Sequence, residues 1–227
     1  MFDAIVVEPE KPAESAVIWL HGLGASGADF ESAIALLGIN EQSIRFIFPN
    51  APAIPVTVNG GIIMPGWYDI TDVDIARTID VDGIRKSADR VDNIIKAQIE
   101  AGIAPHNILL VGFSQGGAVA LYAGVRSSCG LGGVLALSTY WVGDQDRDLL
   151  LGQNPINLPI EIHHGTLDSV VPYALGEAAF ETLQSLGYPV TFQAYVMPHS
   201  VMPEQLRAIG IWMALILNSD SPTRSKE

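Results

Sequence analysis

The sequence has little cysteine, little positive charge and no long apolar run. Cys129 is its only cysteine, which excludes an intrachain disulfide and predicts a reducing compartment, the cytoplasm. The chain has 12 basic and 25 acidic residues, and its net charge of −13 repels nucleic-acid phosphates and anionic lipid. The longest apolar run, residues 208–217, is too short for a bilayer span, which needs about 20 residues. We therefore expect no nucleic-acid partner and no stable membrane insertion.

The composition supplies enough apolar material for one large core, since 48% of the 227 residues are hydrophobic and only 16% are charged. Short apolar, β-branched runs alternate with longer segments of helical period. The predicted strands are residues 3–7, 16–20, 44–48, 108–112, 133–137, 160–163 and 190–195. The predicted helices are residues 28–37, 81–101, 116–125, 173–186 and 203–217. This alternation predicts a single α/β domain with a mostly parallel central sheet and helices on both faces.

One connection, residues 51–80, is much longer than the others. Long connections inside a compact domain are often functional, so one interpretation is a lid-like or pocket-forming excursion. The other is a surface excursion with a small hairpin at Asn59-Gly60-Gly61. Four of its apolar side chains are expected to pack on the core or to line the site: Ile62, Ile63, Met64 and Trp67. The domain then covers residues 1–218, and residues 219–227 form a polar C-terminal tail.

The strongest chemical signal is the pattern Gly112-x-Ser114-x-Gly116, which joins an apolar strand to a small-residue helix. This context is typical of an elbow that exposes a nucleophilic serine at the end of a parallel strand. The pattern alone leaves two other interpretations open, an ordinary helix capped by Ser114 and a phosphate-cradling loop. The phosphate loop is disfavoured because no lysine follows and the chain is strongly acidic.

A nucleophilic serine needs a histidine base and an acid that orients the histidine. His199 follows the last predicted strand and precedes the last helix, where this chain order places the base. Asp168 follows an apolar strand and precedes an apolar Val170-Val171-Pro172 segment, so it can be partly buried beside the base. The other aspartates between serine and histidine are expected to lie in a solvated turn: Asp144, Asp146 and Asp148.

No pattern in the sequence predicts a metal site or a cofactor. None of the five histidines has the i, i+4 helical spacing of zinc hydrolases. His163 and His164 are adjacent on a predicted strand, so their side chains point in opposite directions and do not share a metal.

Acyl transfer also needs N–H donors for the oxyanion of the tetrahedral intermediate. The Gln115 amide at the start of the helix is one candidate. The glycine-rich loop 22–27 after the second predicted strand supplies another, the Leu23 amide. The glycine spacing in that loop also matches a dinucleotide fingerprint. No acidic residue ends a strand about 20 positions further on, where the ribose contact would lie, so we disfavour that interpretation.

Segments along nearly the whole chain share their order and spacing with one known family: VIWLHGLGASGADF, RFIFPNAP, GWYDI, GIRKSADRVDNII, NILLVGFSQGGAVALY, GGVLALSTY, HHGTLDSVVP and the loop with His199. The sequence resembles the carboxylesterase/phospholipase family of α/β-hydrolases, which includes bacterial carboxylesterases and eukaryotic acyl-protein thioesterases. The resemblance implies an α/β-hydrolase fold. It implies a catalytic triad of nucleophile, acid and base: Ser114, Asp168 and His199. It also implies an oxyanion hole made by the amides of Leu23 and Gln115.

The resemblance implies a serine hydrolase that cleaves carboxylic esters of short to medium acyl chains through an acyl-enzyme, with a small-molecule ester or acyl compound as substrate. We expect three side chains to wall the substrate pocket: Leu23, Trp67 and Val171. A lysophospholipase or acyl-protein thioesterase is the alternative. A non-catalytic binding protein on the same fold is the alternative of another class, and the ordered triad disfavours it. The chain departs from the family at Met64-Pro65-Gly66 and at Ser200, which affects substrate preference rather than chemistry. A homodimer is one assembly open to it.

Overall fold

The computed structural model describes residues 3–39, 42–72, 78–147, 150 and 157–218, so the predicted tail and Asp148 lie outside the described residues. The strands are β1 (Ala4–Val7), β2 (Ser15–Leu20), β3 (Ile44–Pro49), β4 (Ala53–Val56), β5 (Ile62–Pro65), β6 (Ile108–Phe113), β7 (Gly133–Leu137), β8 (Ile160–Gly165) and β9 (Val190–Tyr195). The helices are α1 (Ala28–Glu31), α2 (Ile34–Leu37), α3 (Val81–Glu100), α4 (Gln115–Arg126), α5 (Tyr173–Ser185) and α6 (Pro203–Asn218).

The central sheet has seven strands in the order β1-β3-β2-β6-β7-β8-β9. β1 pairs antiparallel with β3, and every other neighbouring pair in this sheet is parallel. The predicted mostly parallel sheet is therefore confirmed, with one antiparallel strand at its edge.

The inner strands are apolar on both faces because helices cover both faces of the sheet. In β2, Ile18 packs in one buried cluster with residues of α3, α4 and α5. The next residue, Trp19, packs in the opposite cluster with residues of α1, α2 and α6. Burial of each such large apolar side chain contributes about 1.5–3 kcal/mol, so this two-sided core carries most of the stability.

The predicted helix 28–37 is divided into the short helices α1 and α2. Ser32 and Ala33 between them keep helical backbone angles, but the Ala33 amide donates to the Phe30 carbonyl, three residues back. This tighter hydrogen bonding interrupts the α-helical pattern without changing the direction of the chain. Among the described residues, no helix is long and apolar enough to span a membrane.

The long connection contains a separate two-stranded sheet, in which β4 pairs antiparallel with β5. Its turn includes Gly60 and Gly61, both with positive φ, so the expected hairpin is present. The lid-like or pocket-forming role of residues 51–80 stays a prediction. Ile62 and Ile63 are 62% and 71% exposed, contrary to the expectation that they pack on the core or line the site. They lie next to the turn of the hairpin, which forms a sheet of its own, separate from the central sheet.

The carboxyl ends of β6, β8 and β9 lie at one edge of the sheet because these strands are parallel. Ser114 directly follows β6, Asp168 lies three residues beyond β8, and His199 lies four residues beyond β9. The topology therefore brings the three predicted triad residues to the same edge.

Candidate active site

Ser114 lies between β6 and α4 with φ 54° and ψ −121°, a backbone conformation that L-residues rarely adopt. Its amide donates to the Leu137 carbonyl at 2.8 Å, and Thr139 Oγ1 donates to its carbonyl at 2.7 Å. The Ser114 hydroxyl makes no capping bond to α4, so the helix-cap interpretation is wrong. The strained backbone instead presents the hydroxyl at the sheet edge, as a nucleophile elbow requires.

The glycines on either side of Ser114 are required by close backbone contacts. A Cβ atom on Gly112 would lie 2.2 Å from the Gly116 carbonyl oxygen. A Cβ atom on Gly116 would lie 2.4 Å from the His21 carbonyl oxygen. Both distances are far below van der Waals contact, so any larger residue would push the turn away from β2 and move the serine.

His199 connects the serine to the acid. Its Nδ1 lies 2.7 Å from Asp168 Oδ2, and its Nε2 lies 2.9 Å from Ser114 Oγ. Because a carboxylate only accepts, Nδ1 carries the proton, and Nε2 is left to accept the proton of the serine hydroxyl. The imidazole also packs on Phe113, with ring centroids 4.7 Å apart, which restrains the plane of the ring.

The Asp168 carboxylate is buried and fully hydrogen-bonded. Its Oδ1 accepts from the amides of Val170 and Val171, both at 2.9 Å, while Oδ2 faces His199. His164 Nε2 donates to the Val171 carbonyl at 2.9 Å, which ties the turn that holds the acid to β8. These bonds fix the carboxylate in one orientation and offset the cost of burying its charge.

Two backbone amides near Ser114 donate no hydrogen bond within the part of the chain that the structure describes. One belongs to Gln115, the first residue of α4, and the other to Leu23, in the loop after β2. The Leu23 loop is held against the hairpin because the Gly24 amide donates to the Pro65 carbonyl at 2.8 Å. Unused amides at a helix start and in a fixed loop are the donors that an oxyanion requires.

Leu23, Ile54 and Met64 form an apolar surface beside this loop, which we call the hairpin wall. A Cβ atom on Gly66 would lie 3.1 Å from both Leu23 Cδ1 and Ile54 Cδ1. A Cβ atom on Gly24 would lie 3.7 Å from the Met64 sulfur. The glycine at position 66 thus leaves room for the side chains of Leu23 and Ile54 to approach each other.

Trp67 and Val171 are core residues. Trp67 is 3% exposed, its Nε1 donates to the His21 carbonyl at 2.8 Å, and its amide donates to Gln115 Oε1 at 2.8 Å. Val171 packs in the cluster under α5. Their predicted contact with substrate stays a prediction, and Trp67→Ala is a poor test of it because truncation of a buried tryptophan typically costs about 3–5 kcal/mol.

Asp146 is not part of a solvated turn, contrary to the sequence prediction. It is 5% exposed, and its carboxylate accepts from Arg85 of α3 and from the Tyr122 hydroxyl of α4. The Arg85 hydrogen bonds lower the pKa of Asp146, while burial is the main cause that raises the pKa of Tyr122 to about 12. Asp146 therefore anchors the loop after β7, and Asp144, which is exposed, is the better control residue.

The adjacent histidines of β8 point to opposite sides, as predicted. His163 Nε2 contacts Glu161 Oε1 at 2.6 Å, whereas His164 faces the acid loop. In the ranges that the structure describes, no three His, Cys, Asp or Glu side chains come together as they would to hold a metal ion.

We expect the free energy of unfolding to fall as the pH is lowered from 7.5 to 5.5. Burial lowers the pKa of His21 and of His164 below the usual 6.5. As the pH falls below 6.5, His21 and His164 bind protons in the unfolded chain at a pH where they stay neutral in the folded chain. The free energy of unfolding therefore decreases as the pH is lowered. Urea unfolding across this range measures the loss. His106→Gln is the control, since it removes an exposed histidine and keeps both buried ones. A flat profile would contradict the prediction.

Sequence reasoning missed several residues that support the site through hydrogen bonds. Thr139 holds the Ser114 carbonyl, and the buried Gln115 side chain binds both the Trp67 amide and the Tyr68 carbonyl. His21 contacts the Gly22 carbonyl next to the Leu23 amide. The available signal was the presence of polar side chains beside the elbow and in the glycine-rich loop. The signal was not sufficient, because the partners of Thr139 and Gln115 lie 25 and 48 positions away in the sequence.

Comparison with known proteins finds the same architecture and sequence pattern. Residues 1–216 match the phospholipase/carboxylesterase family. The chain is 38% identical over 230 residues to acyl-protein thioesterase 1 of Emericella nidulans, covering 95% of this chain and 96% of the relative.

Two crystal structures from plants have closely similar folds. That of Arabidopsis thaliana SOBER1 superposes with a TM-score of 0.83 at 31% identity, covering 91% of this chain and all of the other. That of Zea mays acyl-protein thioesterase 2 superposes with a TM-score of 0.82 at 25% identity, covering 96% of this chain and all of the other. The resemblance and fold class inferred from the motifs are thus confirmed.

Proposed function

The chain belongs to the phospholipase/carboxylesterase family of α/β-hydrolases and is a hydrolase, and from that premise we propose that Ser114, His199 and Asp168 form its catalytic triad. The observation that carries this proposal is the unbroken hydrogen-bonded chain from Ser114 Oγ through His199 to Asp168, with distances of 2.9 and 2.7 Å. A serine, base and acid in this arrangement cleave acyl bonds through a covalent intermediate.

In the proposed mechanism His199 Nε2 takes the proton of the Ser114 hydroxyl as Oγ attacks the substrate carbonyl. The tetrahedral intermediate then collapses, and the same Nε2 gives the proton to the departing alcohol or thiol, which leaves an acyl ester on Ser114. Water, deprotonated by His199, attacks that ester and releases the acid and the free serine. Asp168 stabilises the imidazolium in both halves of the reaction and does not itself take the proton.

We assign the oxyanion hole to the amides of Leu23 and Gln115. Both amides are free of other hydrogen bonds among the described residues, and both belong to rigid backbone beside Ser114. Donors held in place before the reaction stabilise the developing negative charge without paying for reorganisation.

Covalent labelling with a fluorophosphonate probe tests the proposed nucleophile directly. We expect one labelled peptide, the one that contains Ser114, when the modified protein is digested and analysed by mass spectrometry. Heat-denatured protein is the control, because an unactivated serine does not react. A folded protein that remains unlabelled, or a label on another serine, would overturn the assignment.

We propose carboxylic esters and thioesters of short to medium acyl chains as substrates. Relatives with the name acyl-protein thioesterase favour the thioester, and the half-buried, apolar hairpin wall favours an acyl chain over a polar group. A lysophospholipase activity is the second candidate within the same chemistry. Rates on matched oxygen and sulfur esters of one acyl chain distinguish esterase from thioesterase activity. A lysophosphatidylcholine assay tests the lysophospholipase activity.

We expect Met64→Ala to shift the preferred acyl chain towards greater length. Removing this side chain from the hairpin wall opens space next to Gly24, and each methylene in an apolar pocket changes selectivity by about 1–3 kcal/mol. The kcat/KM ratio between neighbouring p-nitrophenyl esters should change by roughly tenfold. Ile63→Ala is the matched control, because Ile63 lies on the same strand and is 71% exposed. An unchanged ranking in a folded Met64→Ala variant would show that the wall does not contact the acyl chain.

We propose the cytoplasm as the location because the single cysteine shows no use of disulfides.

We propose a homodimer as the assembly because Leu167, Val170 and Val196 expose large apolar side chains in the loops that carry the acid and the base. Sedimentation velocity tests it, and a species with the mass of one chain at high concentration would exclude the dimer.

A further inference from the structure

His21 is a fully buried histidine that takes no part in the proposed proton transfers. It directly follows β2 and precedes the loop with the Leu23 amide. Its ring packs on Trp67 with centroids 5.2 Å apart, and its carbonyl accepts from Trp67 Nε1 at 2.8 Å. The ring therefore has a fixed position between the sheet edge and the segment that leaves the hairpin.

The hydrogen bonds of His21 determine its tautomer. The Ala51 amide lies 3.0 Å from Nε2, and since a backbone amide only donates, Nε2 carries no proton. The proton of the neutral ring then lies on Nδ1, which donates to the Gly22 carbonyl at 2.7 Å. Burial lowers the pKa of His21, which keeps the ring neutral and preserves this tautomer at neutral pH.

The bond to the Gly22 carbonyl also sets the direction of the Leu23 amide. The Gly22 carbonyl and the Leu23 N–H belong to one planar peptide unit, in which they point in opposite directions because the bond is trans. A carbonyl held towards His21 therefore turns the N–H to the other side of the peptide plane. The imidazole fixes one side of a unit whose other side is free to bind the oxyanion.

We propose that His21 is a positioning residue for the oxyanion hole, in which the Nδ1–H tautomer, selected by the Ala51 amide, orients the Leu23 N–H. This inference rests on the proposed function, because it assigns a role to the second oxyanion donor. Among the described residues, no hydrogen bond joins His21 to Ser114, Asp168 or His199. Its effect is to hold the Gly22 carbonyl with a 2.7 Å bond, shorter than the 3.2 Å bond that the same carbonyl accepts from the Ala25 amide in the glycine-rich loop.

Two substitutions separate the two hydrogen bonds of the ring. In His21→Asn the amide nitrogen takes the place of Nδ1, so the donor to the Gly22 carbonyl is kept and the acceptor for Ala51 is lost. In His21→Gln the amide oxygen takes the place of Nε2, so the acceptor for Ala51 is kept and the donor to Gly22 is lost. His21→Asn leaves the Ala51 amide without its acceptor, whereas in His21→Gln the Gly22 carbonyl keeps its bond from the Ala25 amide at 3.2 Å. The Asn variant should therefore lose more stability than the Gln variant.

The proposal predicts different kinetics for the two variants. His21→Gln should lower kcat on the order of 10²-fold with little change in KM, because a misplaced donor acts on the transition state. His21→Asn should keep kcat within a few-fold of the wild type, and the exposed His106→Gln should match the wild type. Equal losses of kcat in the Asn and Gln variants, or an unchanged kcat in His21→Gln, would overturn the proposal.

A spectroscopic measurement on the unmodified protein is independent of whether the variants fold. The ¹⁵N imidazole signals of His21 should show a protonated Nδ1 and an unprotonated Nε2 throughout pH 6.5–8. A protonated Nε2 would overturn the proposal. Fluorophosphonate labelling of the wild type distinguishes failure of the proposed function from failure of the role of His21. If Ser114 is not labelled, the proposed function itself is wrong. If Ser114 is labelled and His21→Gln keeps the wild-type kcat, only the role of His21 is wrong.

Discussion

Ser114→Ala is expected to lower kcat for ester hydrolysis by about 10³-fold or more and to abolish fluorophosphonate labelling. The substitution removes the only oxygen that His199 Nε2 contacts among the described side chains, at 2.9 Å. The remaining triad members have no covalent role without it, so only binding and the oxyanion donors would contribute to the residual rate.

The same variant should unfold at nearly the same temperature as the wild type. The hydroxyl is half-buried and makes no capping bond, and alanine keeps the Cβ atom and the hydrogen bonds of the backbone amide and carbonyl at this position. Ser185→Ala, at an exposed position of α5, is the matched control and should keep full activity. More than a tenth of wild-type activity in a folded Ser114→Ala protein would show that another residue is the nucleophile.

Asp168→Asn is expected to lower kcat on the order of 10³- to 10⁴-fold. The amide that replaces the carboxylate presents either a poorer acceptor or a donor to His199 Nδ1, so it stabilises neither the required tautomer nor the imidazolium. The amides of Val170 and Val171 still need an acceptor, and the amide oxygen can supply it, so the fold of the loop should persist.

Asp144→Asn is the control for the acid, because Asp144 is exposed and, like Asp168, lies between Ser114 and His199 in the sequence. It should leave kcat and the pH dependence of kcat unchanged. Asp146 is unsuitable for this purpose, since its carboxylate joins α3 and α4 and its loss lowers stability. Full activity in Asp168→Asn, or a comparable loss in Asp144→Asn, would move the acid to another position.

The parts of the fold that sequence reasoning predicted are those with a local physical cause. The inner strands are buried on both faces and therefore read as continuous apolar runs, as in residues 108–112. The elbow was predictable because Gly112 and Gly116 have no room for a Cβ atom, which restricts the residue type. The meeting of serine, acid and base was predictable because each follows a parallel strand, and parallel strands end at one edge of the sheet.

The parts that were missed depend on contacts between distant segments. An aspartate in a polar loop has the same local sequence whether it is solvated or, like Asp146, paired with an arginine 61 positions away. Ile62 and Ile63 are apolar without being buried, and they lie in a two-stranded sheet that is separate from the central sheet. His21 was seen only as a strand-end residue, since its role depends on the Ala51 amide 30 positions away.

The hairpin β4–β5 lies outside the central sheet, and this arrangement separates two properties that can change independently in evolution. The proposed triad residues follow strands of the central sheet, whereas Ile54 and Met64 of the hairpin wall belong to a separate pair of strands. That pair is joined to the Leu23 loop by the bond from the Gly24 amide to the Pro65 carbonyl. Under the proposed function, substitutions in the hairpin are expected to alter acyl selection while the triad stays in place. The hairpin is accordingly the segment to exchange between relatives when a new substrate range is sought.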